Sequence, residues 1–315
     1  MRKTAAALFP DCSEEQERFL SSLLHPEERG SALVWTKEAR EVPLQFVTPE
    51  EIPSWLPGEI ALLAPGEKPG STEQYQRGDY YPLDFSSVLT GSALLALRGE
   101  RTADWKILDL CAAPGGKSIL ASQLLHPALL LSNEVIGKRL GILRHNLARC
   151  GLTETFTQRL SAEEWAAQTP SAFDLSLVDA PCSGQSLLAK GKDNPGCFHP
   201  SIVKGNARRQ LKILRAAGET VAPGGYLFYS TCTFAIRENE GVVTKLLKSN
   251  PDFSAVEVPH LEELRSPHSE FPSYRVYPHR SRGAGGFVCL LRRRDSGQRN
   301  EISNRLLSYP VSGSD

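Results

Sequence analysis

The chain has 315 residues, of which 40% are hydrophobic, and its 36 Lys and Arg residues balance 36 Asp and Glu residues. This size and composition allow a sizeable hydrophobic core, in one large domain with a smaller companion or in two domains. The longest apolar runs, such as 128–131 and 175–178, fall far short of the roughly 20 residues that a membrane helix needs, so we expect no membrane span. The balanced charge leaves nucleic-acid binding open, because such binding requires only a local basic surface.

Cysteine usage and the N-terminal residues both predict a cytoplasmic protein. The cysteines are scattered, at positions 12, 111, 150, 182, 197, 232 and 289. Their odd number and the lack of a CxxC pair argue against a disulfide framework and against a zinc site, so we expect reduced thiols and no metal. The basic start of the chain is followed by Asp11, Glu14 and Glu15 before an apolar segment of signal-peptide length can form.

The first 85 residues predict a small α+β lobe. The spacing of Phe19, Leu20, Leu23 and Leu24 predicts an amphipathic helix over 13–25, with Ser13 as its N-cap. Beyond it, two β-type runs at 32–35 and 44–47 are interrupted by prolines, and a turn-rich stretch at 64–71 predicts an exposed loop. A helix from about 86 to 97 should then dock on the following sheet.

From residue 86 onward, strand-like and helix-like runs alternate, which is typical of a doubly wound, mainly parallel sheet. Strands are predicted near 105–111, 129–134, 155–160, 174–179, 225–231 and 286–293. Helices are predicted near 117–125, 137–149 and 200–221. The last pair of runs, 275–279 and 287–292, predicts an antiparallel hairpin at the sheet edge, and the polar chain from residue 295 predicts a mobile tail.

Three motifs follow predicted strands. In LDLCAAPGGKS (108–118) a strand runs into a glycine turn and a helix, which brings backbone close to a nucleotide-like cofactor. DAPCSG (179–184) and STCT (230–233) each place a cysteine just after an apolar run. Because the carboxyl ends of parallel strands share one edge of a sheet, we expect cofactor and thiols to meet there.

In this order and spacing the three motifs resemble the Sun/Fmu family of S-adenosylmethionine-dependent RNA 5-methylcytosine methyltransferases, from about residue 78 to about residue 294. The resemblance implies an α/β fold, with a Rossmann-like class I methyltransferase domain and a seven-stranded sheet over 86–294. A small N-terminal α+β lobe over 1–85, with RNA contact as one role, precedes it, and a flexible tail over 295–315 follows. The implied substrate is structured RNA, ribosomal in preference to transfer RNA.

Small residues after the first strand of the domain keep side chains away, so that backbone amides can approach the cofactor. With the residues that the resemblance adds, the predicted cofactor-binding set is Cys111, Ala112, Ala113, Pro114, Gly115, Gly116, Lys117, Glu134, Arg139, Ser161 and Asp179. A tight turn without a ligand is the alternative for the glycines.

Glu134 closes the second predicted strand, where a carboxylate can accept hydrogen bonds from both ribose hydroxyls of an adenosine group. A surface acid is the alternative, and for Arg139 a solvated helix face is the alternative. The family usually has an acid near the end of the third strand that contacts the adenine amino group, but Ser161 occupies that place here. Ser161, Glu163 and the backbone remain the candidates for this contact.

Carbon 5 of cytosine accepts a methyl group only after a nucleophile has added at carbon 6, and a cysteine thiolate suits that addition. The resemblance implies that Cys232 attacks and that Cys182 assists release of the product. It also implies that Asp179 protonates or hydrogen-bonds the ring nitrogen at position 3. Lys117 either lowers a thiol pKa and stabilises developing charge, or is a solvent-facing residue at a helix start.

The loop KGKDNP (190–195) follows Cys182 and resembles a basic loop of the family, which makes Lys190 and Lys192 candidates for RNA binding. Basic runs at 138–145, 207–212 and 292–294 are further candidates or solvated faces. Two other functions stay open: a non-catalytic RNA-binding assembly factor, and a methyltransferase that acts on transfer RNA, a small molecule or a protein.

Overall fold

The structure is a computed structural model that describes residues 1–38, 41–153 and 155–311. Its helices are α1 (Arg2–Leu8), α2 (Ser13–Leu24), α3 (Glu73–Gln76), α4 (Phe85–Gly91), α5 (Gly116–Leu125), α6 (Gly137–Arg149), α7 (Ala162–Gln168), α8 (Pro200–Thr220) and α9 (Glu240–Ser249). Its strands are β1 (Ser31–Trp35), β2 (Ile60–Leu62), β3 (Tyr80–Asp84), β4 (Lys106–Asp109), β5 (Leu129–Asn133), β6 (Phe156–Gln158), β7 (Phe173–Asp179), β8 (Val221–Thr231), β9 (Phe253–Ala255), β10 (Tyr274–Val276) and β11 (Gly286–Arg293). Among these described residues, no helix is long and apolar enough to cross a bilayer.

The large sheet has the strand order β10-β11-β8-β7-β4-β5-β6. Strands β4 to β8 pair in parallel, whereas β11 runs antiparallel to β8, β9 and β10. The predicted α/β fold is therefore confirmed, together with its edge hairpin. Within the described ranges the sheet has eight strands, because the short β9 pairs with β11 beside the seven on the main path.

Helices cover both faces of this sheet, and the strand sequences show why. Successive side chains of a strand point to opposite faces, so Ile107 and Leu108 enter two different core clusters. Ile107 packs in the cluster that contains Leu120 of α5, and Leu108 packs in the cluster that contains Leu214 of α8. Strands buried on both faces are continuously apolar, which is the pattern that predicted them. Helices α7 and α9 were not predicted.

The N-terminal lobe contains an antiparallel sheet with the order β2-β1-β3. The run at 44–47 was predicted to be a strand, but it contributes only an isolated bridge between Phe46 and Leu63. Flanking prolines, which cannot donate to a strand ladder, account for this difference. Ser13 was predicted to be the N-cap of α2, but this prediction was wrong. The helix already begins at Ser13, and Cys12 occupies the N-cap position. The helix predicted over 86–97 divides into α4 and a 3-10 helix, Ser92–Leu97.

The segment after residue 295, predicted to be mobile, packs along the sheet edge as far as residue 311. The amide of Thr157 donates to the carbonyl of Tyr309 at 3.0 Å, and the amide of Val311 donates to Thr155 at 2.8 Å. These bonds pair backbone groups that the edge strand β6 would otherwise leave open. The side chain of Leu306 is buried against the core and holds the segment on the domain. The polar composition of the segment gave no indication of this contact. Residues 312–315 of the predicted tail lie outside the described residues.

Candidate active site

The glycine turn between β4 and α5 is shaped by two close constraints. Gly115 has φ +120°, a conformation that favours glycine. A Cβ atom on Gly116 would lie 2.7 Å from Cδ2 of Leu83, so β3 approaches the helix start more closely than a side chain would allow. Gly115 is therefore required by its backbone conformation, and Gly116 by the close approach of the Leu83 side chain.

Helix α6 holds this turn in place. Arg139 donates through Nη2 to the carbonyl of Ala113 at 2.5 Å, and Asn146 donates through Nδ2 to the carbonyl of Pro114 at 2.8 Å. Arg139 also pairs with Glu134, with 3.1 Å between Nη1 and Oε2. Arg139 therefore stabilises both the turn, through Ala113, and the position of the Glu134 carboxylate. Asn146 was not predicted, because a helical asparagine gives no sequence signal of this contact.

Asp109, at the end of β4, lies buried beneath the turn. Its carboxylate accepts a hydrogen bond from the Ser118 hydroxyl at 2.7 Å and one from the amide of Cys111 at 3.3 Å. Burial raises the pKa of Asp109 to about 7. This acid was not among the predicted site residues, although an acid that closes an apolar strand is a visible signal.

A cavity of about 390 Å³ opens at the carboxyl ends of β4, β5, β7 and β8. The predicted site residues that line it are Cys111, Ala113, Glu134, Arg139, Asp179, Cys182 and Cys232. Val135, Ile136 and Ile213 add apolar walls that were not predicted. Four predicted residues, Ala112, Pro114, Gly115 and Gly116, lie in the turn behind Cys111 and Ala113.

Glu134 is a buried wall of this cavity, with a side chain that is only 4% exposed. Its Oε1 accepts a hydrogen bond from the amide of Ile136 at 2.9 Å, and its Oε2 faces Arg139. The alternative of a surface acid does not hold. A buried carboxylate with part of its hydrogen-bonding capacity directed to the cavity can receive hydroxyl donors.

Ser161 does not face the cavity, in contrast to its prediction. Its hydroxyl accepts a hydrogen bond from the amide of Glu164 at 3.2 Å, and the Glu164 carboxylate accepts one from the amide of Ser161 at 2.7 Å. This capping box starts α7 and uses the serine side chain. Glu163 pairs with Lys212 at 2.7 Å, and Ala162 is the residue of this segment that lines the cavity.

Asn133 joins two loops on the side of the cavity that Glu134 lines. Its Nδ2 donates to the carbonyls of Leu110 and Leu160 at 3.1 and 2.9 Å, and its Oδ1 accepts from the amide of Leu160 at 2.9 Å. A single buried amide therefore ties the end of β4 to the segment before α7. This role follows only from the register of β5 between its neighbours.

The two thiols meet at the edge of the cavity, with 3.2 Å between Sγ of Cys182 and Sγ of Cys232. Cys232 is exposed and Cys182 is half-buried. The hydrogen bond between them raises the pKa of Cys182 and lowers the pKa of Cys232. The Ser186 hydroxyl and the Lys190 ammonium lower the pKa of Cys232 further, whereas Asp179 raises it. The pair therefore favours a thiolate at Cys232 and a thiol at Cys182.

A buried carboxylate, Glu238, holds the loop that carries Cys182. It accepts hydrogen bonds from the amide and hydroxyl of Ser183 at 2.9 and 2.5 Å and from Nε2 of Gln210 at 2.9 Å. The same Nε2 donates to the carbonyl of Pro181 at 3.0 Å. Burial raises the pKa of Glu238. These residues were not predicted, although the polar run 238–240 after an apolar strand is an unusual feature.

Asn239 holds the loop that carries Cys232. Its Oδ1 accepts from the Thr231 hydroxyl at 2.6 Å and its Nδ2 donates to the carbonyl of Thr233 at 2.9 Å, so the two residues flanking Cys232 are fixed. The hydroxyl groups of Ser183 and Thr233 are 2.7 Å apart and link the two loops directly. These contacts keep the thiols adjacent.

Asp179 and Lys117 form a charged pair beside Cys232. Asp179 accepts a hydrogen bond from the Ser230 hydroxyl at 2.6 Å, and its Oδ2 is 3.7 Å from Nζ of Lys117. The Lys117 side chain is only 9% exposed, so the alternative of a solvent-facing helix start does not hold. With Cys232 and Lys190, they line a second, smaller cavity of about 40 Å³.

The two lysines predicted to bind RNA lie in different surroundings. Lys190 pairs with Asp84 at 3.3 Å, is 31% exposed and lines the smaller cavity beside Cys232. Lys192 is exposed on the surface. Lys190 thus lies beside Cys232, whereas Lys192 is exposed to solvent.

The chain is similar in sequence to the members of a known protein family. The sequence profile of "16S rRNA methyltransferase RsmB/F" matches residues 93–292. A ribosomal RNA small subunit methyltransferase F from Erwinia tasmaniensis is 32% identical over 302 residues, which cover 91% of this chain and 61% of that protein. The chain therefore spans about three fifths of the length of this relative.

Two solved structures show the same fold. A methyltransferase homologue from Pyrococcus horikoshii superposes with a TM-score of 0.73 at 23% identity and covers 92% of this chain and 93% of its own. NSun6 from Pyrococcus horikoshii, solved with SFG, superposes with a TM-score of 0.71 at 19% identity and covers 94% of this chain and 98% of its own.

Proposed function

Because the chain belongs to the 16S rRNA methyltransferase RsmB/F family, we propose that it transfers a methyl group from S-adenosylmethionine to carbon 5 of a cytosine in ribosomal RNA. The reaction passes through a covalent bond between Cys232 and carbon 6 of the base. The observation that carries this proposal is the pair of thiols 3.2 Å apart, with opposite pKa shifts, between two cavities. A nucleophile and a separate group for release are what this chemistry needs.

The larger cavity fits S-adenosylmethionine, which supplies an electrophilic methyl group when it is bound. Its volume of about 390 Å³ lies in the range of about 300–1,000 Å³ typical of small-molecule sites. Val135 and Ile136 offer apolar walls for an adenine ring, and the buried Glu134 carboxylate can accept from ribose hydroxyls. The N-terminus of α5, which follows the glycine turn, suits a carboxylate.

Attack begins at Cys232. Its thiolate adds to carbon 6, and the electron pair of the bond between carbons 5 and 6 moves into the ring towards nitrogen 3. Asp179 supplies a proton or a hydrogen bond to that nitrogen, while the Lys117 ammonium, 3.7 Å from Asp179, offsets the developing negative charge. Carbon 5 is then nucleophilic enough to accept the methyl group.

Release reverses the addition. Carbon 5 loses its proton to a base, that electron pair re-forms the double bond between carbons 5 and 6, Cys232 leaves as a thiolate, and nitrogen 3 returns any proton it received to Asp179. Cys182 lies 3.2 Å from Cys232 and is our candidate for this base, after it has passed its own proton to solvent. Loss of Cys182 should therefore block release more than attack.

The test is covalent trapping. A Cys182→Ala protein is incubated with total cellular RNA and S-adenosylmethionine, the mixture is run on a denaturing gel, and the RNA that stays attached is sequenced. We expect an adduct that is absent from Cys182→Ala/Cys232→Ala, because only Cys232 forms the covalent bond in this scheme. The position of the adduct identifies the modified cytosine.

Each other outcome has a distinct meaning. No adduct, with S-adenosylmethionine binding confirmed by calorimetry, would contradict the proposal and favour a non-catalytic RNA-binding factor or a methyltransferase for another kind of substrate. An adduct on transfer RNA would keep the mechanism and replace the substrate.

Replacement of Lys190 and replacement of Lys192 should have different effects. In Lys190→Gln the loss of positive charge disfavours the thiolate, so the pKa of Cys232 rises and the rising limb of the rate–pH profile moves to higher pH. In the matched variant Lys192→Gln we expect an unchanged pH profile and weaker RNA binding, with a salt dependence shallower by about one phosphate contact. Rate–pH profiles and salt titrations of RNA binding measure both, and identical behaviour of the two variants would refute this division.

A further inference from the structure

The N-terminal helices pack against both loops that carry the thiols. Phe9 and Phe19 share a buried cluster with Ala189, which lies in the loop after Cys182, and with Phe234, which lies two residues after Cys232. The ring of Phe19 meets the ring of Phe234 edge-on, with 4.9 Å between centroids. A change in the docking of α2 would therefore be felt at both loops, since closely packed interiors transmit displacement.

Arg29 joins three separate segments at this place. Its Nε donates to the carbonyl of Ala189 at 2.9 Å, its Nη1 to Pro278 at 2.7 Å and its Nη2 to Ser22 at 3.1 Å. The guanidinium is planar and its donors have fixed directions, so one side chain fixes the three carbonyls relative to one another. The segments belong to α2, to the chain after β10 and to the 3-10 helix Gln185–Lys190.

The 3-10 helix Gln185–Lys190 carries two groups that act on Cys232. The amide of Ser186 donates to the carbonyl of Cys232 at 3.2 Å. Lys190 lines the smaller cavity together with Cys232, and Asp84 holds its ammonium at 3.3 Å. The carbonyl that Arg29 binds belongs to the peptide unit between Ala189 and Lys190, so Arg29 fixes the backbone from which the Lys190 side chain starts.

We propose that Arg29 is a positioning residue for Cys232: by holding the Ala189–Lys190 peptide, it keeps Ser186 and Lys190 beside the thiol. The N-terminal helices are then part of the catalytic assembly. The consequence for turnover rests on the proposed function, but the effect on the thiol itself does not.

Other charged groups also face Cys232. Cys182 and Lys190 favour its thiolate, and Asp179 opposes it. Lys117 faces the same cavity and pairs with Asp179. Arg29 acts on this set through Lys190: its guanidinium holds the Ala189–Lys190 peptide, and it attracts Asp84, the ion-pair partner of Lys190. Without Arg29, the Lys190 ammonium is held less firmly beside Cys232 and is left to Asp84, so loss of Arg29 should make the thiolate less favourable.

The experiment measures the rate at which iodoacetamide alkylates Cys232 in the full chain between pH 6 and 10, resolved by peptide mass spectrometry. In Arg29→Gln we expect alkylation of Cys232 at pH 7 to slow by about 3- to 10-fold, because a shift of one pKa unit changes the thiolate fraction about tenfold. Arg29→Lys, which keeps a cation and some of the donors, should recover part of the rate. Arg18→Gln is the matched control, because Arg18 is an exposed residue of α2 that pairs with Glu15.

If Arg29 only supported the fold, Arg29→Gln would weaken cofactor binding as well as the reactivity of Cys232. In Arg29→Gln the affinity for S-adenosylmethionine, measured by calorimetry, should stay unchanged, because Arg29 does not line the larger cavity. An unchanged alkylation profile of Cys232 would overturn the proposal, and so would an equal loss of cofactor affinity, which would indicate general disruption.

The test of Arg29 still gives an answer if Arg29→Gln does not fold or if the protein does not methylate RNA. If Arg29→Gln does not fold, Arg29→Lys decides, since a profile identical to that of the original protein would overturn the proposal. If the original protein methylates no RNA, the proposed function fails while the alkylation rates still test Arg29.

Discussion

Replacement of Cys232 by alanine is expected to lower the rate of methyl transfer to RNA by at least about 10³-fold, as is usual when a covalent nucleophile is removed. Without the thiolate, carbon 5 has no route to sufficient nucleophilicity, and the nearby Cys182, with its raised pKa, is a poor replacement. Transfer of a radiolabelled methyl group from S-adenosylmethionine to RNA measures the loss. Binding of S-adenosylmethionine, measured separately, should change little.

The matched control for this variant is Cys12→Ala. Cys12 is an exposed cysteine at the N-cap of α2, so the same chemical change there should leave transfer intact. Substantial activity in Cys232→Ala, combined with its loss in Cys182→Ala, would contradict the assignment and reverse the roles of the two thiols.

Removal of Glu240 is expected to give the largest loss of stability. Glu240 and Arg275 form an ion pair in which each side chain is 2% exposed, with 2.6 and 2.5 Å from the Glu240 carboxylate to Nε and Nη2 of Arg275. Ser266 also donates to this carboxylate at 2.5 Å. In Glu240→Ala the guanidinium stays buried without its counter-ion, which costs about 3–5 kcal/mol.

Loss of the Glu240 carboxylate should also disturb the loop that carries Cys232, because Nη1 of Arg275 donates to the carbonyl of Phe234, two residues after Cys232. A lower thermal midpoint of unfolding measures the effect. The control Glu262→Ala removes an exposed acid that pairs with Arg265 at the surface, and it should leave the midpoint nearly unchanged. Equal midpoints for the two variants would show that the buried pair contributes no more than a surface pair.

Apart from α7, α9 and the short β9, the order of strands and helices in the large domain could be predicted, because it depends on local patterns. The run 174–179 has three apolar residues, Leu175, Leu177 and Val178, between acidic ends, and β7 begins one residue earlier, at Phe173. The apolar stripe of α8 repeats at helical spacing and ends just before Pro223, as the prediction had it to within one residue. The family also followed from local motifs, and the matching profile confirms it.

The same local signals failed where tertiary contacts decide. The run 44–47 has strand composition but finds only one bridge partner, and the polar segment after 295 is ordered by Leu306 and by the open edge of β6. The family resemblance made Ser161 a candidate for the adenine contact, but its hydroxyl caps α7. In each case a partner distant in sequence, or a competing local hydrogen bond, determined the outcome.

By itself, the sequence determined the α/β architecture, the family and the candidate residues of the site, because hydrophobic periodicity and motif order are properties of neighbouring residues. Only the tertiary structure decided which buried polar groups support them. Glu238 meets Ser183 across 55 positions, and Arg29 meets Ala189 across 160. A buried donor or acceptor must find a partner wherever the fold brings one, and local sequence does not contain that position.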